Sequence, residues 1–302
     1  MFQKKAIWMF LMVCTVVGLC ACGKDSTNNQ QTMNGLDKLG SVKIVSREEG
    51  SGTRTTFADL VGLGEMSNST DNSDDTTKKA HVVDNAEKVV EYVGNNKNVI
   101  GYVPSGEILK NQNEKIKAIN VNGKKATSEN IAKGKYDLSR SFYLTYTGKL
   151  RDVERDFISY IQGKGQETVG KNFVPIGKPR SFLSDKSSGT ITIHGSTSMS
   201  GLLEELAKQY MKLNTNAKIK VEVSDSTSGL NDAMKGICDF GMSSRELKDY
   251  EKELLNYETI AKDGITVIVN KDNPVTNLST KQLKALYKGS LTKWNDLNTK
   301  EK

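Results

Sequence analysis

Residues 190–213 read TITIHGSTSMSGLLEELAKQYMKL, which joins a β-branched run to a turn of small hydroxyl residues and then to a run with helical spacing. In the last run Leu203, Leu206 and Tyr210 recur at intervals of three and four residues, which predicts one buried face of a helix. The alternating β-branched residues before the turn predict a strand. A strand that leads through a short turn into a helix is the building unit of α/β folds.

The same alternation continues along the rest of the chain. Runs rich in β-branched residues predict further strands at 42–45, 99–103, 219–223 and 265–269. Apolar residues at helical spacing predict helices at 151–162, 201–213, 229–236 and 280–288. Polar stretches predict a surface loop at 68–79 and a connector between two sequence blocks at 177–189. The predicted fold class is α/β, with helices that cover the sheets.

The composition limits the classes of function. Lys and Arg number 43 against 36 Asp and Glu, and the excess is spread along the chain, so we expect no nucleic-acid surface. The two histidines, His81 and His194, lack metal-ligand spacing, and the chain has neither a G-x-x-x-x-G-K-[ST] loop nor a G-x-S-x-G elbow. We therefore expect no metal, no cofactor and no catalysis, which disfavours a phosphoryl-transfer enzyme or hydrolase. Cys238 is expected to be a buried small hydrophobe.

The first 22 residues have the layout of a bacterial export signal. Two lysines precede an apolar stretch at 6–21, which is shorter than the ~20 residues of a membrane-spanning helix. The stretch ends in LCAC, which resembles the bacterial lipobox and implies cleavage before Cys22 with lipid on its thiol. An uncleaved anchor is the alternative. We expect residues 1–21 to be a lipoprotein signal peptide and residues 22–40 a flexible tether.

Three strand-like runs end in small, hydroxyl-rich turns that lead into helices. These turns read REEGSGTR at 47–54, GSTSM at 195–199 and STSG at 226–229. Backbone N–H groups at a helix N-terminus are unpaired and favour an anion, and the planar fork of Arg47 or Arg54 suits a tetrahedral oxyanion. Such turns follow the carboxyl ends of strands, where open α/β sheets bind ligands. Ordinary helix capping by Ser and Thr is the alternative for each turn taken alone.

These stretches resemble the phosphate-binding lipoproteins of Pst-type ABC importers. The likeness covers the chain beyond residue 40 and rests on VKIVSREEGSGTRTTF, GSTSMSGLLEELAKQY, SDSTSGLNDAMKGICDFGMSSRELKDYE and IAKDGITVIVNKDNPVTNLSTKQLKALYKGSLTKWNDL. It implies a two-lobed type II periplasmic-binding-protein fold. In that fold each lobe has a central sheet flanked by helices, and the lobes close over phosphate in the cleft between them.

The resemblance also implies a phosphate site built from hydroxyl and backbone donors. Matched motif by motif, its residues are Arg47, Ser51, Gly52, Thr53, Ser198, Met199, Thr227, Ser228 and Ser244. Ser244 stands where the best-known branch of the family has an aspartate that accepts the proton of hydrogen phosphate. Glu49 is the candidate substitute, or else the ion-pair partner of Arg47. Without such an acceptor, the site would not separate phosphate from sulfate.

The order of the two sequence blocks differs from the order in the family. There the G-S-T-S block comes first and the R-x-x-G-S-G-T block follows the W-N-D-L segment. Here the R-x-x-G-S-G-T block occupies 41–180 and the G-S-T-S block 190–302, which predicts a circular permutation. A broken tandem gene, whose half-copies would pair between chains, is the alternative.

The permutation predicts interlaced lobes. One lobe should combine 41–138 with 271–302 and carry the R-x-x-G-S-G-T-R turn, whereas the other should span 139–270 and carry the G-S-T-S turn. The crossings near Ser139–Arg140 and near Lys271–Pro274 are the expected hinge.

The function expected from the resemblance is capture of inorganic phosphate, without catalysis, for the permease subunits of an ABC importer. We expect a monomer that lipid on Cys22 holds at the extracytoplasmic face of the cell membrane. Two alternatives stay open. One is binding of another oxyanion, such as sulfate or molybdate, and the other is a surface lipoprotein that acts in adhesion or signalling.

Overall fold

The computed structural model describes residues 34–64, 73–110 and 113–298. The predicted signal peptide, the predicted lipidation site Cys22 and most of the tether lie outside these ranges. The end of the predicted tether differs from the prediction, because Leu36–Leu39 form a short 3₁₀ helix and Leu36 is buried in the core. Within the ranges, none of the helices has the length and apolar composition needed to cross a membrane.

The described residues form eleven strands and ten α-helices that alternate along the chain. The strands are β1 (Lys43–Arg47), β2 (His81–Val83), β3 (Val99–Pro104), β4 (Ile116–Ala118), β5 (Asn120–Val121), β6 (Ser139–Tyr146), β7 (Gly189–Ser196), β8 (Ala217–Ser224), β9 (Phe240–Ser243), β10 (Asn256–Asn270) and β11 (Asn277–Leu278). The helices are α1 (Gly52–Val61), α2 (Ala86–Asn95), α3 (Ser105–Lys110), α4 (Ser128–Ala132), α5 (Asp152–Gln162), α6 (Gln166–Asn172), α7 (Thr197–Leu213), α8 (Ser226–Met234), α9 (Asp249–Leu254) and α10 (Thr280–Lys288). The α/β class is confirmed.

Local sequence explains where these elements begin and end. Ser279 caps the N-terminus of helix α10: its hydroxyl accepts from the backbone N–H of Gln282, and the Gln282 side chain accepts from the Ser279 N–H. At the other end the cap is Gly289, in the left-handed region. Helices α7 and α8 begin earlier than predicted, because the hydroxyl-rich turns themselves form their first turns. These turns therefore belong to helix N-termini.

Nine strands of the described part form one continuous sheet in the order β2-β1-β3-β10-β6-β9-β7-β8, with β4 also paired to β10. Towards each end of the sheet the strands pair in parallel, as β1 does with β2 and β3, and β7 with β8 and β9. In the middle, β10 pairs antiparallel with both β3 and β6. Two parallel regions are thus joined through antiparallel strands.

Strand β10 runs through both halves of the sheet. Residues 256–264 pair with β6, and residues 265–269 pair with β3. The buried apolar side chains accordingly form two main clusters. One holds residues from 142–261, and the other holds residues from 36–138 and 265–297 together with Val174.

The change of cluster within β10 lies earlier than the predicted lobe boundary at residue 270. Ile265, Val267 and Val269 pack in the cluster that contains residues 36–138, because one unbroken strand serves both cores. The C-terminal segment packs in the same cluster, where Trp294 is fully buried. The backbone N–H of Val42 donates to the carbonyl of Thr292 at 2.8 Å. Each sequence block therefore contributes to that cluster.

Candidate anion-binding site

The N-termini of three helices meet between the two clusters. Helix α1 follows β1, α7 follows β7 and α8 follows β8, so each helix begins beyond the carboxyl end of a strand. The backbone N–H groups of a helix's first turn lack intrahelical partners, and the helix dipole adds partial positive charge there. Three such ends at one place favour an anion over a neutral or cationic ligand.

Hydroxyl groups from the two clusters contact each other at this point. The Thr53 Oγ1 and Ser198 Oγ atoms lie 2.7 Å apart, and Thr53 is fully buried. The Arg47 Nη2 atom donates to Thr197 Oγ1 at 2.9 Å. The first turns of α1 and α7 are therefore linked by side chains that can donate hydrogen bonds to an oxyanion.

Close packing brings α1 against the second and third turns. A Cβ atom on Gly52 would lie 2.3 Å from Ser226 Oγ and 2.5 Å from Ser244 Oγ, so a larger residue would have to displace these hydroxyls. Ser196 Oγ donates to Ser244 Oγ at 2.8 Å, and the Ser244 N–H donates to Ser226 Oγ at 3.1 Å. Three buried serines from different turns thus form one hydrogen-bonded cluster around Gly52.

Arg47 is 1% exposed and is held by several acceptors. Its Nε and Nη2 atoms each donate to Glu48 at 2.8 Å, and Nη2 also donates to the carbonyl of Asp84 at 3.0 Å. Glu48, rather than Glu49, is therefore the ion-pair partner of Arg47. Glu49 is exposed, which disfavours it as the acceptor for a phosphate proton.

Arg54 has a supporting position. It forms an ion pair with Asp74 at 2.8 Å and donates to the backbone carbonyl of Arg47 at 3.0 Å. Partial burial of the Arg54 guanidinium acts to lower its pKa, but the hydrogen bond and charge of Asp74 outweigh this and raise it. Arg54 therefore fixes the backbone at Arg47.

The remaining predicted residues differ in what their side chains do. The Met199 side chain is fully buried in the cluster of 142–261. Ser228 donates its hydroxyl to Asp225 at 2.6 Å, and Ser51 Oγ accepts from the Arg54 N–H at 3.5 Å, so both serve as parts of helix caps. Thr227 Oγ1 donates to the Gly50 carbonyl at 3.4 Å. These residues can offer an anion backbone N–H groups more readily than side chains.

The structure adds residues that the motif comparison missed. Ser196, Thr197 and Ser226 join the hydroxyl cluster, and Arg140 donates to both Thr53 Oγ1 at 2.9 Å and the Ser244 carbonyl at 3.1 Å. A sequence signal for Arg140 existed. A period of two in β6 puts Arg140 on the same face as Phe142 and Leu144, which are buried.

Arg140 is paired with Asp263, and both side chains are 1% exposed. Burial lowers the pKa of Arg140, whereas the charge of Asp263 opposes that effect. Burial raises the pKa of Asp263, and the Arg140 guanidinium opposes that effect. Elsewhere, Cys238 is buried, as predicted, and burial raises the pKa of its thiol to about 12.

A cavity of about 250 Å³ borders the hydroxyl cluster. Arg47, Thr197 and Ser198 form part of its wall. The wall of this cavity also contains acidic residues, including Glu87 of α2 and Glu204 of α7. The cavity is large enough to admit a small oxyanion and its hydration water to the edge of the cluster.

A family model described as PBP superfamily domain matches residues 24–164 and 181–302. Together with a sheet in two halves and a polar cluster between two cores, this match defines the class as the PBP superfamily. The two-lobed periplasmic-binding fold predicted from the sequence is thereby confirmed.

Individual relatives narrow the class further. The phosphate-binding protein PstS 2 of Streptococcus agalactiae serotype V is 36% identical over 303 residues, which cover 98% of this chain and 99% of the relative. PstS 2 of Streptococcus pneumoniae serotype 4 is 34% identical over 298 residues, or 97% and 99% of the two chains. The crystal structure of a phosphate-binding protein of a phosphate ABC transporter from S. pneumoniae TIGR4 superposes with a TM-score of 0.72 at 33% identity, covering 85% of this chain and all of the other. The chain belongs to the family of PstS phosphate-binding proteins.

Proposed function

We propose that this protein is the solute-binding component of an ABC importer, which captures inorganic phosphate and presents it to the permease subunits. The observation that carries the proposal is the contact of Thr53 with Ser198, because it brings hydroxyl donors from two separate cores to one point. The relatives named as phosphate-binding proteins support the same ligand. They are named as binding proteins, and the protein accordingly binds its ligand without transforming it.

The selectivity for phosphate over sulfate is a separate question. Glu48 and Asp263 each accept two hydrogen bonds from an arginine guanidinium, so each carboxylate is already engaged in an ion pair. The Ser244 hydroxyl can both donate and accept. We propose that Ser244 serves as the acceptor for that proton, with the nine residues predicted from the motifs and the serine cluster around them forming the site.

Calorimetric titration of the mature protein tests the ligand directly. We expect saturable heat with one phosphate per chain at neutral pH, and weaker binding of sulfate. Heat with sulfate or molybdate and none with phosphate would overturn the assignment to phosphate. Ser244→Ala should narrow the preference for phosphate over sulfate, whereas an unchanged preference would remove Ser244 from the selectivity mechanism.

Attachment to the membrane is proposed from the sequence around Cys22. Lipid on this cysteine would hold the protein at the extracytoplasmic face of the cell membrane through the tether. In cells, the parent chain should fractionate with membranes and Cys22→Ser should not. Equal release of both chains would contradict lipid anchoring at this residue.

We propose that the two lobes are interlaced in sequence, because the buried apolar side chains form two cores. Packing supports one lobe of 34–138 with 265–298 and another of 139–264. The contact of Val42 with Thr292 supports a lobe built within one chain, and alignments over 98% of the chain support two blocks that function together. Light scattering should give a monomer that binds one phosphate. A dimer in which the halves of one chain pair with the halves of the other would instead favour the broken tandem gene.

A further inference from the structure

Arg140 and Asp263 form a buried ion pair where the chain crosses between the two cores. The residues face each other on β6 and β10, and Arg140 Nε and Nη2 donate to Asp263 Oδ2 at 3.2 and 2.9 Å. The other carboxylate oxygen, Oδ1, is buried without a hydrogen-bond partner. Because removing two charges from water costs several kcal/mol per ion, burial of this pair is by itself weak evidence for a role in stability.

The third nitrogen of the guanidinium points at the anion-binding site. Arg140 Nη1 donates to Thr53 Oγ1 at 2.9 Å and to the Ser244 carbonyl at 3.1 Å. It therefore contacts one turn from each lobe at the same time. Asp263 fixes the direction of this nitrogen, because its bonds to Nε and Nη2 fix the plane of the guanidinium.

The contact also restricts the direction of the Thr53 hydroxyl, because it occupies one acceptor site of Thr53 Oγ1. A guanidinium can only donate, so Thr53 Oγ1 must accept from Arg140. The Thr53 proton therefore does not point at Arg140. The other hydrogen-bond contact of Thr53 Oγ1 is Ser198 Oγ, at 2.7 Å. The Thr53 O–H is thus available to a partner on the side of Ser198, which belongs to the first turn of α7.

We infer that Arg140 is a positioning residue that orients the Thr53 hydroxyl as a donor to the bound oxyanion. This inference rests on the proposed function. Asp263 holds Arg140 in the required orientation. Arg140 also ties the Ser244 turn to Thr53, so that donors from the two lobes take their places together. A lysine cannot replace it, because one ammonium group cannot bond to Asp263, Thr53 and the Ser244 carbonyl with the fixed geometry of a fork.

A second buried pair provides a matched control. Arg245 and Glu251 are also 1% exposed and are joined by two bonds of 2.7 Å. This pair lies within the 139–264 lobe, and its contact with a site hydroxyl, Thr227 Oγ1, is a long one of 3.4 Å. Glu251→Gln should therefore reduce stability, as Asp263→Asn should, without changing the orientation of Thr53.

The test is calorimetric titration of the parent and variant chains with inorganic phosphate at neutral pH, after circular dichroism has shown that each is folded. Arg140→Lys and Asp263→Asn should each weaken phosphate binding about 10- to 100-fold, the range of a lost charge-assisted hydrogen bond. Glu251→Gln should change the affinity less than threefold. Folded Arg140→Lys with parental affinity would overturn the role of Arg140, and if that variant does not fold, Asp263→Asn with parental affinity would do so.

A double-mutant cycle separates positioning from a merely structural role. If Arg140 acts through Thr53, then Arg140→Lys should cost little further affinity in a Thr53→Val background, whereas additive losses would contradict the inference. If the parent binds sulfate but not phosphate, the phosphate assignment fails, and the same cycle measured with sulfate still decides the role of Arg140. A parent that binds neither anion would overturn both proposals.

Discussion

The hydroxyl oxygens of Thr53 and Ser198 lie 2.7 Å apart, although 145 residues separate them in the sequence. Each hydroxyl belongs to the first turn of a helix, and the two helices pack on different cores. The contact therefore exists only while the two lobes are together. An anion that takes hydrogen bonds from both hydroxyls would stabilise the closed arrangement by the free energy of those bonds.

Removal of the Ser198 hydroxyl is the simplest test of this arrangement. Ser198→Ala should weaken phosphate binding about 5- to 15-fold, since one neutral hydrogen bond contributes about 1 kcal/mol or somewhat more. Ser200→Ala is the matched control, because Ser200 lies on the same helix and its hydroxyl bonds to the Thr197 carbonyl. Isothermal titration calorimetry measures both variants, and equal losses would mean that Ser198 has no specific role.

Arg47 should matter more than any single hydroxyl. Arg47→Ala removes the donor to Thr197 and leaves Glu48 without its guanidinium partner beside the anion. We expect phosphate affinity to fall at least 100-fold, because repulsion from the carboxylate adds to the lost hydrogen bonds. Arg180→Ala changes an exposed arginine in the connector and should leave the affinity unchanged. Similar losses in the two variants would contradict the site.

Gly52 tests the close approach of α1 to the serine cluster. In Gly52→Ala the new methyl group would meet Ser226 Oγ at 2.3 Å and Ser244 Oγ at 2.5 Å. Either these hydroxyls leave their hydrogen bonds or the first turn of α1 moves away from them. Phosphate binding should fall more than tenfold, whereas Gly177→Ala, where a methyl group meets nothing within 4 Å, should bind normally. Normal binding by Gly52→Ala would show that the lobes do not close this tightly around the ligand.

The Arg245–Glu251 pair predicts a pH dependence of stability. Burial acts to raise the pKa of Glu251, but the hydrogen bonds and charge of Arg245 outweigh it, so the pKa lies below its ordinary value. The folded state thus binds the proton less tightly than the unfolded state does. The stabilising contribution is present above the unfolded pKa of about 4.3 and is lost as the pH falls through the lower folded pKa.

Urea denaturation at pH 7 and near pH 3 measures this contribution. At pH 7, Glu251→Gln should lower the free energy of unfolding by about 3 kcal/mol, the lower end for breaking a buried pair. The difference between parent and variant should shrink towards pH 3. Glu253→Gln replaces an exposed carboxylate on the same helix and should show little effect at either pH. A constant difference between parent and Glu251→Gln at both pH values would contradict the assigned direction of the pKa shift.

Local pattern predicted the elements of this fold well. The β-branched runs and the 280–288 periodicity fall in strands and a helix of the structure, because side-chain spacing alone decides which face can be buried. The lobe crossing in β10 was less accessible, since residues 256–270 form one strand. The Asp263-Gly264 dipeptide lies where the pairing changes from β6 to β3, but such a dipeptide more often indicates a turn than a change of partner within a strand. That point depends on tertiary pairing with β3 and β6.

The hydroxyl-rich turns of the candidate site could be predicted from the sequence, whereas its ion pairs were harder to predict. Hydroxyl-rich turns identify Thr53 and Ser198 because their position at helix starts is a local property. The choice of Glu48 over Glu49 as the partner of Arg47 depends on which side chain of the turn faces inward. Arg140 and Asp263 lie 123 residues apart, so their pairing is a property of the sheet register and has no local signal.

The uninterrupted course of β10 has a mechanical consequence. Two lobes joined by slack loops could swing freely, whereas lobes that share a hydrogen-bonded ribbon can separate only by bending and twisting it. Because bending and twisting a hydrogen-bonded strand costs energy, this ribbon should limit how far the two lobes separate. Because the same strand is also part of both cores, heat that melts one lobe removes the pairing that supports the other, and the protein should unfold as one cooperative unit.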